Sequence, residues 1–278
     1  MALNLDCVGK EFGPYEFEYS DKDIILYALS VGATEQELRY VFEGSDGFCA
    51  LPTFAVIPAT QALFDAVSAL QAPLEKLLHG EQAIVWFRPV PTSGRLSTRW
   101  SVKNVFDKGK GALAVVSAVT ESTDGTPMFE NIFSLYIRGE GGFGGDPGPK
   151  VEPIEPPKDR EPDFEVEQMT LPWQALLYRL NGDRNPLHAS PEFAALSGFE
   201  KPILHGLCTM GFAVRHFVNT ALGGDVSKLK EISGRFTAVT YPGDKIKTQV
   251  WKVPDKYILK VTTDRGHTVI SNFIAKTA

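Results

Sequence analysis

Cysteine is scarce in this sequence, and its spacing excludes two kinds of structural site. Cys7, Cys49 and Cys208 are the three cysteines among 278 residues. An odd number at such wide separations builds neither a disulfide framework nor a set of metal ligands. The composition therefore fits a reducing compartment, and we expect no metal site.

Long apolar runs and an excess of positive charge are also lacking. No apolar run approaches the roughly 18 to 20 residues of a membrane-spanning helix, and the first residues, MALNLDCVGKEFG, show no secretion-signal pattern. The formal net charge is −6, whereas binding to nucleic acid depends on concentrated Lys and Arg. We therefore expect no membrane insertion and no nucleic-acid partner, although a local basic patch can still hold a small anion.

Several common catalytic motifs are missing as well. The sequence contains no G-x-S-x-G, Walker A or H-E-x-x-H motif. Residues 139–144 formally satisfy G-x-G-x-x-G, but a proline-rich stretch follows in place of the helix that a dinucleotide site requires. We therefore expect no redox cofactor.

A polar cluster stands out in the stretch YRLNGDRNPLH, residues 178–188. Asn185 is a favourable N-cap and Pro186 suits the first helical position, so a helix is predicted to begin there. His188 would lie in its first turn, where the positive end of the helix keeps the imidazole neutral and able to accept a proton. Asp183 precedes the helix, and we expect its carboxylate and His188 to face one water molecule.

A second helix start is predicted near residues 202–207. Gly206 would present a backbone N–H at the head of this helix, where negative charge developing on a carbonyl oxygen is stabilised. The helix itself is indicated by apolar residues at helical spacing, namely Leu207, Met210, Val214, Phe217, Val218 and Ala221.

An internal repeat divides the chain. Residues 25–34 align with residues 176–185 at an offset of 151, and Phe87 aligns with Phe236 at an offset of 149. Such a steady offset indicates two copies of one unit. The first copy lacks the polar cluster, because Asp183, Asn185 and His188 fall on Gly32, Thr34 and Glu37.

Each copy reads as helices followed by strands, an α+β pattern. A helical pattern covers residues 21–40. Predicted strands are rich in β-branched and aromatic residues or alternate in polarity, and they cover 83–90, 95–106, 112–121, 128–137 and 245–253, with a hairpin over 257–275 that turns at 264–266. The Gly- and Pro-rich stretch 139–163 is predicted to be a linker between units 1–138 and 164–278.

The polar cluster also carries a family resemblance. YRLNGDRNPLH and the following GFEKPILHGLCTMGF resemble the signature of the MaoC-like type 2 enoyl-CoA hydratases, which include the hydratase unit of peroxisomal multifunctional enzyme type 2. The resemblance covers nearly the whole chain and extends to LPTFAVIP (51–58), LLHGEQ (77–82), FDKGKG (106–111), GGFGG (141–145), YPG (241–243) and ISN (270–272). It implies a tandem, or double, hot-dog fold, in which each antiparallel sheet wraps around a central helix.

The resemblance also implies an activity, the reversible hydration of trans-2-enoyl-CoA to (3R)-3-hydroxyacyl-CoA in fatty acid metabolism. Asp183 and His188 would act as acid and base, Asn185 would orient the water, and the N–H of Gly206 would stabilise the thioester oxygen. Coenzyme A would be part of the substrate, and no cofactor would be needed. Implied substrate contacts are His79, Gly80, Lys108, Asp183, Arg184, Asn185, Pro186, Leu187, His188, Gly206 and Phe236. Arg184 departs from the family pattern, in which this position is often aromatic.

The residues taken alone leave other interpretations open. Asp183 and His188 are compatible with a helix cap and a surface histidine, while His205 and Cys208 read as a structural histidine and an inert buried thiol. Likewise, His79, Lys108 and Phe236 are compatible with a strand-end histidine, a solvated lysine and a core aromatic. Alternative functions are a hot-dog dehydratase or thioesterase acting on acyl carriers, and a non-catalytic acyl-CoA binding module.

The first unit would accommodate the acyl chain. Its central helix is expected to be broken by Pro52 and Pro58, with small residues at Ala55, Ala59 and Ala62 leaving a gap. The resemblance further implies a homodimer or a pseudo-dimer of the two units, with fusion to dehydrogenase domains in some relatives. We expect a peroxisomal location in a eukaryote and a cytoplasmic one otherwise. Because the final IAKTA is not an SKL-type signal, a peroxisomal signal is expected to lie outside this sequence.

Overall fold

One antiparallel sheet of ten strands dominates the computed structural model, which describes residues 3–278. The strands are β1 (Glu11–Tyr19), β2 (Leu77–Trp86), β3 (Gly94–Asp107), β4 (Gly111–Ser122), β5 (Pro127–Arg138), β6 (Phe164–Met169), β7 (Leu229–Phe236), β8 (Lys245–Val253), β9 (Lys256–Thr263) and β10 (Thr268–Thr277). The helices are α1 (Asp21–Ser30), α2 (Leu38–Val41), α3 (Thr60–Ala69), α4 (Gln174–Tyr178), α5 (Pro191–Leu196) and α6 (Gly206–Ala221). Within the described residues, no helix is both long and apolar enough to span a membrane.

The two halves of the sheet have the same topology. The strand order is β1-β3-β4-β5-β2-β7-β10-β9-β8-β6, so the β2–β7 pair joins two five-stranded halves with equivalent orders. Residues equivalent in the repeat contact each other: the rings of Tyr27 and Tyr178 lie 6.1 Å apart, and Asn181 Nδ2 donates to Ser30 Oγ at 2.9 Å. The repeat inferred from the sequence is therefore present in the fold. The boundaries at 138 and 163 stay a prediction.

The central helices differ between the halves. In the second half, α6 is buried along most of its length and packs against β8, as its apolar spacing predicted. In the first half, a 3-10 segment over Pro52–Val56 precedes α3, so the expected interruption by the prolines is observed. The two halves thus build their interiors differently.

The predicted helix over 21–40 is wrong in its extent. The α1 helix ends at Ser30, and only the short α2 is helical beyond it. Gly32 has φ +83°, and a Cβ there would lie 2.1 Å from the ring of Phe212. Both the positive φ and this close approach require glycine. The positive φ is not helical, so the helix ends before this residue.

Most predicted strands are confirmed, and three were missed. The segments assigned to the sheet correspond to β2, β3, β4, β5 and β8, and the hairpin corresponds to β9 and β10. The prediction for β2 is wrong in its bounds, because this strand covers 77–86 and not 83–90. The missed strands are β1, β6 and β7. Since β1 and β6 form the two edges of the sheet, each pairs on one side and exposes polar residues, which weakens the sequence signal.

Candidate active site

The polar cluster forms a loop that is held by its own side chains. Asn185 Oδ1 accepts from the N–H of Leu187 at 3.0 Å, and Asp183 Oδ1 accepts from the N–H of Asn185 at 3.1 Å. Pro186 is the first residue of the turn, so the predicted cap is confirmed. The helix that it caps is a single 3-10 turn over Pro186–His188.

His188 has one ring nitrogen fixed by the main chain. Its side chain is 7% exposed, and Nδ1 lies 2.9 Å from the carbonyl oxygen of Ile203. Because a carbonyl oxygen only accepts, Nδ1 carries the proton and Nε2 is left as a proton acceptor. Burial lowers the pKa of His188, while Asp183 acts in the opposite direction.

The imidazole of His188 is therefore neutral, as predicted, but the predicted cause was wrong. A turn of three residues has too few aligned peptides for a helix dipole of useful size. Burial of the ring is the largest contribution to the lowered pKa.

His205 lies in direct contact with the pair. Its ring stacks on that of His188 with centroids 3.6 Å apart, and its Nε2 is 3.3 Å from the carbonyl oxygen of Asp183. Burial, followed by the neighbouring His188, lowers the pKa of His205 well below its usual value. One carboxylate oxygen of Asp183 and one ring nitrogen of each of His188 and His205 all lie within 4.8 Å of one another. No sequence pattern predicted this grouping.

Gly206 begins α6, and this helix is 16 residues long. Its N–H makes no hydrogen bond to the described part of the chain, as expected for the first residue of a helix. A Cβ on Gly206 would lie 3.1 Å from the ring of Phe236, so a larger residue there would require that ring to shift by a few tenths of an ångström. The predicted N–H donor is therefore available, and Phe236 is its immediate neighbour.

These groups open onto one cavity of about 500 Å³ between the two halves of the chain. Most of the predicted site residues contribute to its wall: His79, Gly80, Lys108, Asp183, Asn185, Leu187, His188, Gly206 and Phe236. Arg184 and Pro186 do not, and Arg184 is exposed to solvent. Their predicted substrate contacts are therefore not supported by the geometry of the cavity wall.

The first half supplies an apolar part of the wall. Leu63, Phe64 and Val67 of α3 line the cavity together with Leu74, Leu77, Leu113 and Leu135. Ala59 and Ala62 are fully buried in the same apolar cluster as Leu63 and Val67, but they do not line the cavity. The expected gap therefore borders Leu63, Phe64 and Val67 and not the small residues from which it was predicted.

A bulge in β2 shapes the opposite wall. The register between β2 and β5 shifts between His79 and Glu81, and Gly80 lies at the shift, where a Cβ would be 3.2 Å from the carbonyl oxygen of Ser134. The ring of His79 meets Phe236 edge-on at 5.1 Å, and burial lowers the pKa of His79 to about 4. His79 is thus an uncharged part of the wall.

Lys108 belongs to a tightly connected loop. The carboxylate of Asp107 accepts from the N–H groups of Gly109, Gly142 and Gly144 at 2.8, 2.8 and 2.7 Å. Lys108 Nζ donates to the carbonyl oxygen of Pro147. The start of the predicted linker is therefore docked against this loop and fixes its position beside the cavity.

Arg235 is a second cationic residue of the wall, and no sequence pattern predicted it. Its Nε donates to Glu81 Oε1 at 2.7 Å, which joins β7 to β2. The only sequence signal was its position immediately before Phe236 in the GRF segment.

Comparisons with known proteins agree with this geometry. Residues 17–139 match the family described as the MFE-2 hydratase 2 N-terminal domain, and residues 153–272 match the MaoC like domain. "Probable enoyl-CoA hydratase 2" of Dictyostelium discoideum is 44% identical over 276 residues, which cover 96% of this chain and 94% of that protein. The chain belongs to the MaoC-like type 2 enoyl-CoA hydratase family.

Two further relatives extend this assignment. "Peroxisomal multifunctional enzyme type 2" of Mus musculus is 38% identical over 95% of this chain, and the match spans 37% of that longer protein. A crystal structure of a MaoC-like dehydratase from Phytophthora capsici superposes with a TM-score of 0.89 at 32% identity, covering 99% of this chain and 98% of that one. Together with the single sheet and its repeated topology, this establishes the double hot-dog fold.

Proposed function

We propose that this protein is a type 2 enoyl-CoA hydratase, which adds water reversibly to trans-2-enoyl-CoA and forms (3R)-3-hydroxyacyl-CoA. One observation carries the proposal. A carboxylate (Asp183), a neutral imidazole (His188) and the backbone N–H at a helix start (Gly206) all line one cavity that has an apolar wall.

The reaction needs a group that accepts a proton from water and returns one to carbon. As the water oxygen adds to the β-carbon, the Asp183–His188 pair accepts one proton from the water. The pair then returns one proton to the α-carbon, so it begins and ends the cycle in the same state. The reverse reaction uses the same groups in opposite roles.

The thioester oxygen gains negative charge during the addition. The N–H of Gly206 stabilises it, because a preorganised donor at a helix start interacts more strongly with the developing charge than with the neutral carbonyl. Asn185 uses Oδ1 to cap the loop, which leaves its Nδ2 group to orient the water. No external cofactor takes part in these steps.

The substrate is divided between the two halves. The acyl chain lies against the apolar wall from α3, and the coenzyme A portion runs past His79, Gly80 and Lys108. In eukaryotes the protein acts in peroxisomes, either as a separate hydratase or fused to dehydrogenase domains, in line with the multifunctional relative. The chain forms a homodimer, or its two halves act as a pseudo-dimer.

Two alternatives predict different products. A thioesterase would use the same water and release free coenzyme A. A non-catalytic binding module would neither hydrate the enoyl thioester nor release coenzyme A. A carboxylate oxygen of Asp183 and a ring nitrogen of His188 lie within 4.8 Å of each other. One water can bridge them, because its two hydrogen bonds together span up to about 5.6 Å. This disfavours the binding module.

The test uses crotonyl-CoA and trans-2-decenoyl-CoA. Loss of the enoyl thioester absorbance is followed together with a thiol reagent that detects free coenzyme A. We expect the absorbance to fall without release of thiol. Stoichiometric thiol release would indicate a thioesterase, and no change in either signal would indicate a binding module.

A further inference from the structure

We propose that His205 is a positioning residue, which holds the ring of His188 and the main chain at Asp183 in the arrangement that proton transfer requires. Its effect on catalysis rests on the proposed hydratase function, whereas the contacts themselves do not. His205 is 1% exposed, contributes to the cavity wall and immediately precedes Gly206. It therefore adjoins all three groups to which the proposed chemistry is assigned.

The stack on His205 fixes the plane of the His188 ring. The bond from Nδ1 of His188 to the carbonyl oxygen of Ile203 holds one edge of this ring but lets it tilt about that bond. His205 covers one face, with ring centroids 3.6 Å apart and planes 25° from parallel. Since a tilt would push ring atoms of His188 into this close-packed neighbour, the hydrogen bond and the stack together fix the direction of Nε2.

His205 can support His188 because it is itself held by two neighbours. The ring of the buried Tyr178 packs against it, with centroids 4.8 Å apart and planes inclined by 49°. The carbonyl oxygen of His205 accepts from the N–H of Thr209 at 3.1 Å, in the first turn of α6. The position of His205 is thus set by α4, which ends at Tyr178, and by α6.

A second contact links His205 to Asp183. Nε2 of His205 lies 3.3 Å from the carbonyl oxygen of Asp183, and because a carbonyl oxygen only accepts, Nε2 carries the proton. This bond ties the loop that bears the carboxylate to the start of α6. Burial keeps the ring of His205 neutral by lowering its pKa, so it adds no fixed positive charge beside His188 when that ring accepts a proton.

Loss of this support should lower the rate of turnover more than the affinity for the substrate. Proton transfer is sensitive to position, and a displacement of about 1 Å can cost about 10²-fold in rate. We expect His205→Ala to lower kcat for crotonyl-CoA by about 10- to 100-fold and to change KM by less than about twofold. His205→Gln keeps an N–H donor but has no ring to stack, so its kcat should fall similarly.

His205→Phe restores the ring and serves as the conservative variant. It keeps the stack and lacks only the donor to Asp183, so kcat should stay within about threefold of the wild type. His216→Ala is the matched control, because His216 is also buried on α6 but does not contribute to the cavity wall. The kcat of this control should match the wild type. Thermal melting identifies the folded variants, and the comparison of Gln with Phe carries the test if the alanine variant does not fold.

Nitrogen NMR of labelled histidine reads the state of His188 without any substrate. In the wild type we expect one neutral tautomer, protonated at Nδ1, with a pKa below about 6.5. His205→Ala opens the covered face of His188 to the cavity, so both tautomers should appear and the pKa should rise toward about 6.5. The charged groups that act on His188, namely Asp183 and Arg179, are the same in every variant. His205→Phe should match the wild type.

The positioning role is overturned if His205→Ala and His205→Gln keep the wild-type kcat, or if they lose rate while the His188 signals stay unchanged. It is also overturned if folded His216→Ala loses as much rate, or if folded His205→Phe restores none. A wild type that hydrates no enoyl-CoA would contradict the proposed function, while changed His188 signals in the variants would still support the contact.

Discussion

At the scale of single residues, the proposed chemistry depends on which nitrogen of His188 carries a proton. The carbonyl oxygen of Ile203 decides this by accepting from Nδ1. The sequence predicted the cap at Asn185, because a cap is a contact between near neighbours. It could not predict Ile203 as the partner, or the stacking of His205, because these contacts span 15 and 17 residues and form only when the chain folds.

The pH dependence of the rate tests the protonation state of His188. Burial lowers the pKa of this histidine below its usual value, and only the neutral ring accepts a proton. We expect kcat/KM for trans-2-decenoyl-CoA to be constant near neutral pH and to fall at acidic pH, with the acid limb centred below about 6.5. A limb centred above that value would contradict the lowered pKa, and a rate that rises at acidic pH would show that the neutral ring is not the working form.

At the scale of secondary-structure elements, α3 and the loop around Lys108 shape the cavity. The sequence revealed the interruption before α3, because proline excludes a continuous helix. It did not reveal which face of α3 borders the cavity. That depends on how the helix packs against β3 and β4: Ala62 is fully buried away from the cavity, whereas Leu63, Phe64 and Val67 border it.

Filling the cavity from α3 should change the preference for chain length. Val67→Phe places a larger side chain in the apolar wall, and each excluded methylene costs about 0.8 kcal/mol. Exclusion of two methylenes should raise the KM for decenoyl-CoA by about tenfold and leave that for crotonyl-CoA unchanged. Ser68→Phe, on the exposed side of the same helix, is the control. Equal effects on both substrates would show that α3 does not contact the acyl chain.

The loop around Lys108 should affect substrate binding more than turnover. Asp107→Ala removes the acceptor for three glycine N–H groups, and Lys108→Glu reverses the charge beside the cavity. Because a contact remote from the reacting carbons acts equally on the ground and transition states, we expect a higher KM with little change in kcat for both variants.

Asp124→Ala serves as the control for this loop. Asp124 accepts hydrogen bonds in the turn between β4 and β5, and it is not part of the cavity wall. The KM of the Asp124→Ala variant should match that of the wild type. An unchanged KM at low salt in both loop variants would show that the loop does not bind the substrate.

At the scale of the whole molecule, the two halves share a topology and divide the proposed work. The sequence revealed the repeat, because equivalent residues kept their spacing, and it showed that only the second copy has the polar cluster. The equivalent of His188 in the first half is Glu37, whose carboxylate pairs with the buried Arg215 of α6. No local pattern predicted this ion pair, since its partners are 178 residues apart.

Three buried histidines, together with the half-buried His79, should make the fold sensitive to acid. Burial lowers the pKa of His79 to about 4 and that of His216 to about 3, and it also lowers the pKa of His188 and His205. The unfolded chain therefore binds these protons first, at about pH 6.5. The free energy of unfolding should be highest above this pH and fall below it, by roughly 1.4 kcal/mol per pH unit for each such proton.

Urea denaturation at pH 7.5, 6.5 and 5.5 measures this loss. His216→Asn removes one of the four histidines and should flatten the pH dependence. An unfolding free energy that is the same at all three pH values would contradict the predicted neutral state of these rings in the folded protein.

The role of Asp183 and His188 as the acid–base pair is tested most directly by the rate and configuration of the product in wild type and variants. The wild type should convert trans-2-decenoyl-CoA to (3R)-3-hydroxydecanoyl-CoA alone, as resolved by chiral chromatography. Folded Asp183→Asn and His188→Ala should each be slower by about 10²- to 10⁴-fold. A (3S) product, or a folded variant that retains more than about a tenth of the wild-type rate, would contradict this role.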